Sequence, residues 1–277
     1  MEHTEKYGFF TLTGWRKSLL TWANRLNPGW FSRRLALILR KIVISSLPKS
    51  QKCIDSEISG IKIRANIRDN VSERKFLFMP RFFDPFERQF IQDNLPQDGV
   101  FLDIGANAGI YSMTAAQSLS DQGRVLSIEP HPEMVRRLSY NFEINNWQDK
   151  CNILQYAIAD KEDTLSLMLD DSNMGGSSLT LKRGDNMISV PCMPLKDLLE
   201  QEHVNNVHFL KIDIEGAEDK ALIPFFNTAP DNLWPHYLIM ERSPDQWEDD
   251  LESVLEKCGY QKLESARMND IWLRNTA

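Results

Sequence analysis

The sequence predicts an α/β fold in which a mostly parallel sheet carries helices on both faces, preceded by a helical arm and a β-hairpin. Three observations predict it. From residue 100 onward, short apolar runs alternate with helical segments, the pattern that yields a parallel sheet. The runs end in carboxylates, at Asp103, Glu129, Asp160, Asp213 and Glu241. The first run leads at once into a glycine turn from Gly105 through Asn107 to Gly109, and glycine permits backbone conformations and close approaches that are closed to other residues.

A chain of 277 residues, 42% hydrophobic and 26% charged, can bury a sizeable core as one α/β domain plus an arm. Its net charge of −7 is uneven. Residues 1–50 hold nine Lys/Arg against two Asp/Glu, a net +7, and the remainder is strongly acidic, which excludes a broad nucleic-acid grip by the body. Cys53, Cys151, Cys192 and Cys258 are scattered, without a C-x-x-C pair or a companion histidine at ligand spacing. They read as buried or idle thiols of a reducing compartment, and no metal is expected. The opening M-E-H-T-E-K carries acids where a secretory leader carries bases, and no apolar run approaches the ~18 residues of a membrane span. The expected location is the cytoplasm.

In residues 1–50, Leu12, Trp15, Leu19, Trp22 and Leu26 share one helical face. After the break at Asn27 to Gly29, Leu35, Ile38, Leu39 and Ile42 share another. Two amphipathic helices result, surrounded by Arg16, Lys17, Arg25, Arg33, Arg34, Arg40 and Lys41. Such faces suit an anionic membrane surface, at the inner face of the membrane, or an acidic partner, and equally packing on the body or on a second subunit. Residues 51–95 open with a hairpin turning at Ser59-Gly60. An aromatic run follows, broken by Pro80 and Pro85, and then a helix from Pro85 to Asn94. Phe82 and Phe83 there are candidates to wall a substrate pocket, or else core.

Residues 96–277 hold the alternating pattern. The turn after Val100–Ile104 offers G-x-N-x-G where a dinucleotide fingerprint wants G-x-G-x-x-G. Unpaired amides opening the next helix favour anionic groups, whereas Asp103 favours a cationic or amine-bearing ligand. Glu129, ending the strand Arg124–Ile128 about twenty residues beyond Gly109, stands where doubly wound folds bind the two hydroxyls of a ribose. A helix from Pro132 to Asn145 leads to a third strand, Asn152 to Ala159, whose Asp160 can accept from an exocyclic amine such as that of adenine. Leu165–Leu169 and Met187–Cys192 read as hairpin arms around a loop, Gly175 to Ser178, that could cross the ligand. The fourth strand, Phe209–Ile212, ends in Asp213 and Glu215. The fifth ends at Glu241, before a helix capped by Ser243 with Pro244 at its first position. Tyr260–Ser265 and Ile271–Arg274 close as an antiparallel hairpin.

Taken together, F-L-D-I-G-A-N-A-G-I-Y, S-I-E-P-H-P, A-I-A-D and L-K-I-D-I-E-G-A-E resemble the FkbM family of S-adenosylmethionine-dependent methyltransferases, from about Phe82 to the C-terminus. The last motif is the most specific; the others recur across class I methyltransferases. The resemblance implies a Rossmann-like class I sheet of seven mostly parallel strands. It implies S-adenosyl-L-methionine as cofactor, with Asp103, Gly105, Asn107 and Gly109 at its methionine part, Glu129 at the ribose and Asp160 at the adenine. Asp213 and Glu215 would face the methyl group.

The implied chemistry is an in-line displacement, helped by alignment and by a base that takes the acceptor's proton. No histidine stands in a motif to serve, so Asp213 or Glu215 is the candidate base. Phe82, Phe83, Ser178 and Glu241 are candidate substrate contacts. The expected reaction is O-methylation of a hydroxyl on a sugar, glycan or secondary metabolite. The alternatives are an NAD-dependent oxidoreductase of related fold and a non-catalytic cofactor binder acting through its basic arm.

Overall fold

The computed structural model describes residues 5–168, 178–180, 187–266 and 268–275, and only the backbone of Met168 and of 178–180. Two helices, α1 (Gly14–Arg25) and α2 (Trp30–Ser45), form a hairpin around the break at Asn27 to Gly29. Their burial differs from the expected faces. Leu20 and Ala23 of α1 and Ala36, Leu39 and Val43 of α2 point inward, while Trp15, Trp22, Ile38 and Ile42 face out. The small side chains Ala23 and Ala36 allow the close approach of helix to body that bulky indoles would block.

The hairpin of β1 (Cys53–Ile58) and β2 (Ile61–Asn66) turns through Ser59 and Gly60 at φ 51° and 83°, the left-handed pair that matches strand twist. It is tied to the N-terminus by a fully buried ion pair. Arg64 Nε and Nη2 donate to Asp55 at 2.7 and 2.9 Å, and the same guanidinium donates to the carbonyls of Glu5 and Lys6. Asp55 Oδ2 in turn accepts from the amides of Gly8 and Phe10. A short helix that the sequence pattern did not signal, α3 (Val71–Phe78), is capped by Asn70, which accepts from the Glu73 amide at 2.9 Å. Then comes α4 (Pro85–Asn94), with the expected bounds.

From here the chain alternates: β3 (Val100–Ile104), α5 (Ile110–Ser118), β4 (Arg124–Ile128), α6 (Pro132–Asn145) and β5 (Cys151–Leu154). The third strand is shorter than expected. Asn152 to Ala159 divides, because a turn at Gln155-Tyr156 sends β6 (Ala157–Ile158) into a second, four-stranded sheet with β7 (Asp163–Met168), β8 (Ser178–Thr180) and β9 (Met187–Met193). The expected pairing of the two hairpin arms is present as β7 against β9. Residues 169–177, with the loop glycines, lie outside the described residues.

The chain continues through α7 (Leu195–Gln201), also unforeseen, β10 (Phe209–Ile212), α8 (Glu218–Thr228), β11 (Tyr237–Glu241), α9 (Leu251–Lys257), β12 (Tyr260–Ser265) and β13 (Asn269–Arg274). The helix expected to start at Ser243-Pro244 begins instead at Leu251, with Asp250 as its cap. Residues 243–249 serve another purpose: the amides of Glu248 and Asp249 donate to Asp219, anchoring this loop on α8.

The large sheet has the order β12-β13-β11-β10-β3-β4-β5, parallel except for β13, which runs against both neighbours. One core, on the α5 side, continues through the arm and hairpin by way of Leu20, Val43, Ile54 and Phe76. The other, under α7, α8 and α9, gathers Leu102, Leu210, Phe225 and Trp272.

Candidate active site

Strand β3 has β4 on one side and β10 on the other, so the chain leaves it in opposite directions and a crevice opens at the carboxyl ends of β3 and β10. Ligands bind at such a switch point. Asp103 and Lys211 are cross-strand neighbours, with Ser127 next in the row. Asp103 Oδ2 accepts from Ser112 Oγ at 2.5 Å, and burial pushes its carboxyl up to about 6. The Lys211 ammonium, fully buried, donates to the Ile212 carbonyl at 3.1 Å. It stands 3.2 Å from Asp213 Oδ2 and 5.1 Å from the centre of the Tyr111 ring.

The glycine turn packs backbone against backbone. A Cβ on Gly105 would lie 2.0 Å from the Asp213 carbonyl oxygen, at a φ of 76°, and one on Gly109 would meet Leu138 at the same distance. Along the turn itself, ahead of the helix start, the amides are already paired. The amides of Gly105 and Ala106 donate to the Ile128 carbonyl, that of Asn107 to Glu129 Oε2 at 2.7 Å, and that of Ala108 to Asn107 Oδ1. Anionic groups therefore find no cradle at 105–108, because the fold consumes the donors. Glu129 is fixed from its other oxygen by the His131 amide at 2.8 Å, and burial lifts its carboxyl to about 7. His131 itself is a helix cap, accepting from the Glu133 amide.

At the end of β10 the two acids do not cap α8. No side chain caps it; Glu218, its first residue, instead holds the loop before it, its Oε1 accepting from the amides of Ile214 and Gly216 and its Oε2 from Trp247 Nε1. Asp213 and Glu215 turn to the crevice instead, Glu215 from a left-handed backbone at φ 56°. Asp213 and Glu241 form a hydrogen-bonded carboxyl pair. Burial and the Asp213 charge push Glu241 up to about 8, so at neutral pH it keeps its proton and donates it to Asp213. Burial alone would raise Asp213, but the Lys211 ammonium and the hydrogen bond from Glu241 outweigh it and hold Asp213 below its ordinary value. Glu215 is raised by burial and by the charges of Asp213 and Glu218.

Two cavities meet here. A narrow slot of about 50 Å³ runs beside β4 and β6, lined by Ile128, Glu129, Pro130, Met134, Tyr156 and Ile158. A wide cleft of about 1000 Å³ opens toward α2 and α4, lined by Phe82, Phe83, Phe86, Tyr111 and Glu241. Gly105, Asp213 and Glu215 line both.

With this geometry in place, the sequence relations decide the family. The family model of the methyltransferase FkbM domain matches residues 103–262, more than half of the chain. The protein belongs to the FkbM methyltransferase family. Its sheet has the seven mostly parallel strands with a reversed β13 that the resemblance implied. No curated protein matches the chain. A solved FkbM methyltransferase from Methylobacillus flagellatus KT shares 16% identity over 75% of this chain and 56% of its own, with a TM-score of 0.41. An O-methyltransferase from Bacillus cereus in complex with SAH shares 14% over 92% and 94%, at 0.43. A SAM-dependent methyltransferase from Aquifex aeolicus shares 16% over 69% and 88%, at 0.40.

Of the residues expected at the site of this FkbM-family chain, Asp103, Gly105, Asn107, Glu129, Asp213, Glu215, Glu241, Phe82 and Phe83 line one or both cavities. Gly109 acts one step back, seating α5 on Leu138. Asp160 is exposed and lines neither cavity; after the early end of β5, Tyr156, Ala157 and Ile158 occupy that wall. The side chain of Ser178 lies outside the described residues. The aromatic run divides between its two expected roles, Phe76 and Phe78 in the core, Phe82 and Phe86 on the cleft, and Phe83 in the core where it backs the cleft wall. Lys211 and Tyr111 were missed. Lys211 had a signal, a lone charge inside the apolar strand F-L-K-I. Tyr111 had none, since its hydroxyl finds Asp84, at 3.1 Å, only through the fold. Among the described residues no cluster of metal ligands occurs.

Proposed function

We propose that the protein transfers the methyl group of S-adenosylmethionine to a hydroxyl of a sugar, glycan or secondary metabolite. One observation carries this: a slot with a ribose-type acid and a wide cleft with aromatic walls share Gly105, Asp213 and Glu215, the contact that a cofactor and an acceptor would need. The residues suit the cofactor. Glu129, held by two amides, offers acceptor lone pairs to paired hydroxyls, the apolar slot walls suit a flat heterocycle, and Asp103 and Asp213 suit an amine and a sulfonium. The sealed turn amides disfavour a pyrophosphate, which speaks against NAD.

When bound, S-adenosylmethionine supplies a methyl carbon made electrophilic by the adjacent sulfonium. The chain's own residues do the rest. Phe82 and Phe86 offer faces on which an apolar ring face can lie, with Phe83 buried behind them. The carboxylates of Asp213 and Glu215 are in position to receive the proton that the acceptor oxygen releases as it gains the methyl group, a contribution of about two to four orders of magnitude. Lys211, buried beneath, keeps Asp213 ionised.

The test is transfer of labelled methyl groups by the purified protein to a panel of glycans, lipids and polyketides. In Asp213→Asn or Glu215→Gln, at least one should lose about a hundredfold in turnover with cofactor affinity altered far less. Two folded variants that methylate at the wild-type rate would reduce these acids to structure.

A further inference from the structure

The helical hairpin buries one side and presents a second apolar side to solvent. Trp22 is 50% exposed, Trp30 70%, Phe31 72% and Ile38 55%. For large apolar groups to stand out this way on adjacent helices is unusual in a chain with two extensive cores. The cavities show which way the helices are turned. The flank of α1 away from α2 lines a groove with Lys17, Thr21, Asn24 and Arg25, and the flank of α2 away from α1 lines the wide cleft with Arg33, Leu37 and Arg40. By helical spacing, Trp15 and Trp22 on α1 and Phe31, Ile38 and Ile42 on α2 then occupy the outward ridge between those flanks. Cationic groups border it: Arg34 stacks on Trp30 with its guanidinium 4.1 Å from the ring centre, and Arg16 lies 5.1 Å from that of Trp15.

We propose that this ridge seats the protein on a bilayer surface rich in anionic lipid headgroups. Indoles and phenyl rings with their apolar bodies outward, rimmed by lysines and arginines, match the interface between acyl chains and phosphates. The charge of the first fifty residues, nine basic against two acidic, selects the occupant. A second copy of this ridge would bring like charge onto like charge, whereas an anionic surface complements it. Docking in this way would lie flat, since no helix of the described residues is long and apolar enough to cross a membrane. The cleft wall formed by Arg33 and Arg40 would then stand at the lipid surface.

Flotation of the full chain with phosphatidylcholine vesicles, with and without phosphatidylglycerol, tests the proposal. At low salt the bound fraction should be at least about tenfold higher on the anionic vesicles and should fall as salt shortens the screening length. Trp22→Ser combined with Ile38→Ser should abolish flotation, and Arg34→Glu combined with Lys41→Glu should abolish the anionic preference. All four positions are on the surface, away from both cavities' acids, so circular dichroism should stay native. If one pair fails to fold, the other decides. No flotation of the wild type at low salt overturns the proposal, as does flotation that both folded pairs retain. A dimer in sedimentation velocity that Trp22→Ser/Ile38→Ser dissolves, without lipid binding, would assign the ridge to a second copy and equally overturn it.

Discussion

Replacing Glu241 by Gln should erase the pH dependence of methyl transfer. The Asp213–Glu241 pair holds one proton, with Glu241 pushed up to about 8, and a pair already holding a proton is a poor acceptor for another. The competent form is the fully ionised one. At pH 7 it makes up about a tenth of the protein, at pH 8 about half, so the rate should rise about fivefold over that interval and about tenfold to its plateau. In Glu241→Gln the amide cannot ionise, and its NH2 group can still donate to Asp213. The profile should therefore be flat, and the variant, held in the equivalent of the protonated pair at every pH, more than about tenfold slower than wild type above pH 9. Initial rates of labelled methyl transfer, at saturating cofactor and constant ionic strength, measure both curves. A wild-type rate that is level or falls from pH 6 to 9, or a rising limb that survives in Glu241→Gln, would refute the shared-proton account.

Other outcomes follow from the same geometry. Glu129→Ala should weaken binding of S-adenosylmethionine and its demethylated product by about 1.5–3 kcal/mol, the scale of a hydrogen bond to a charged group; unchanged calorimetric affinity in a folded variant would end the ribose assignment. Because Glu129 is raised to about 7 in the folded protein from 4.5, the folded state holds a proton that the unfolded chain has released. Its contribution is complete below about pH 4.5 and is lost as pH rises through 7, up to about 3 kcal/mol. Urea unfolding at pH 5 and 8 should show Glu129→Gln losing less stability over that range than wild type, and an equal or larger loss would contradict it. Gly105→Ala drives a methyl group into the Asp213 carbonyl at a left-handed φ. It should cost about 1–3 kcal/mol or more and abolish cofactor binding; native melting and affinity would show the contact to be soft.

The alternation of strands and helices was legible because each parallel strand is an apolar run with a punctuated end. The bounds of α4, β4, α6 and β10 follow directly from Pro85, Arg124, Pro132 and the F-L-K-I run. The acids at the crevice were legible too, since position at a strand's carboxyl end fixes where a side chain emerges. What escaped depends on contacts distant in sequence. Ser243-Pro244 carries every local mark of a helix start, yet the loop is claimed by Asp219, and α9 waits for Asp250. Asp160 fits the strand-end rule, but β5 stops at Leu154 and Asp160 then lies exposed, off both cavities. The Asp213–Glu241 proton is invisible in sequence, because it arises from two strand ends brought side by side over Lys211.

The buried Arg64–Asp55 pair also sets an order of assembly. Synthesis delivers Glu5 to Phe10 first, but their partners come later: Arg64, which holds the Glu5 carbonyl, 59 residues on, and Tyr140, whose hydroxyl reaches that same carbonyl, 135 residues on. About half of the chain must be made before every partner of that opening stretch exists. The guanidinium and carboxylate of Arg64 and Asp55 can pair with each other, but their shell is finished only when the carbonyls of Glu5 and Lys6 and the amides of Gly8 and Phe10 fold back onto them.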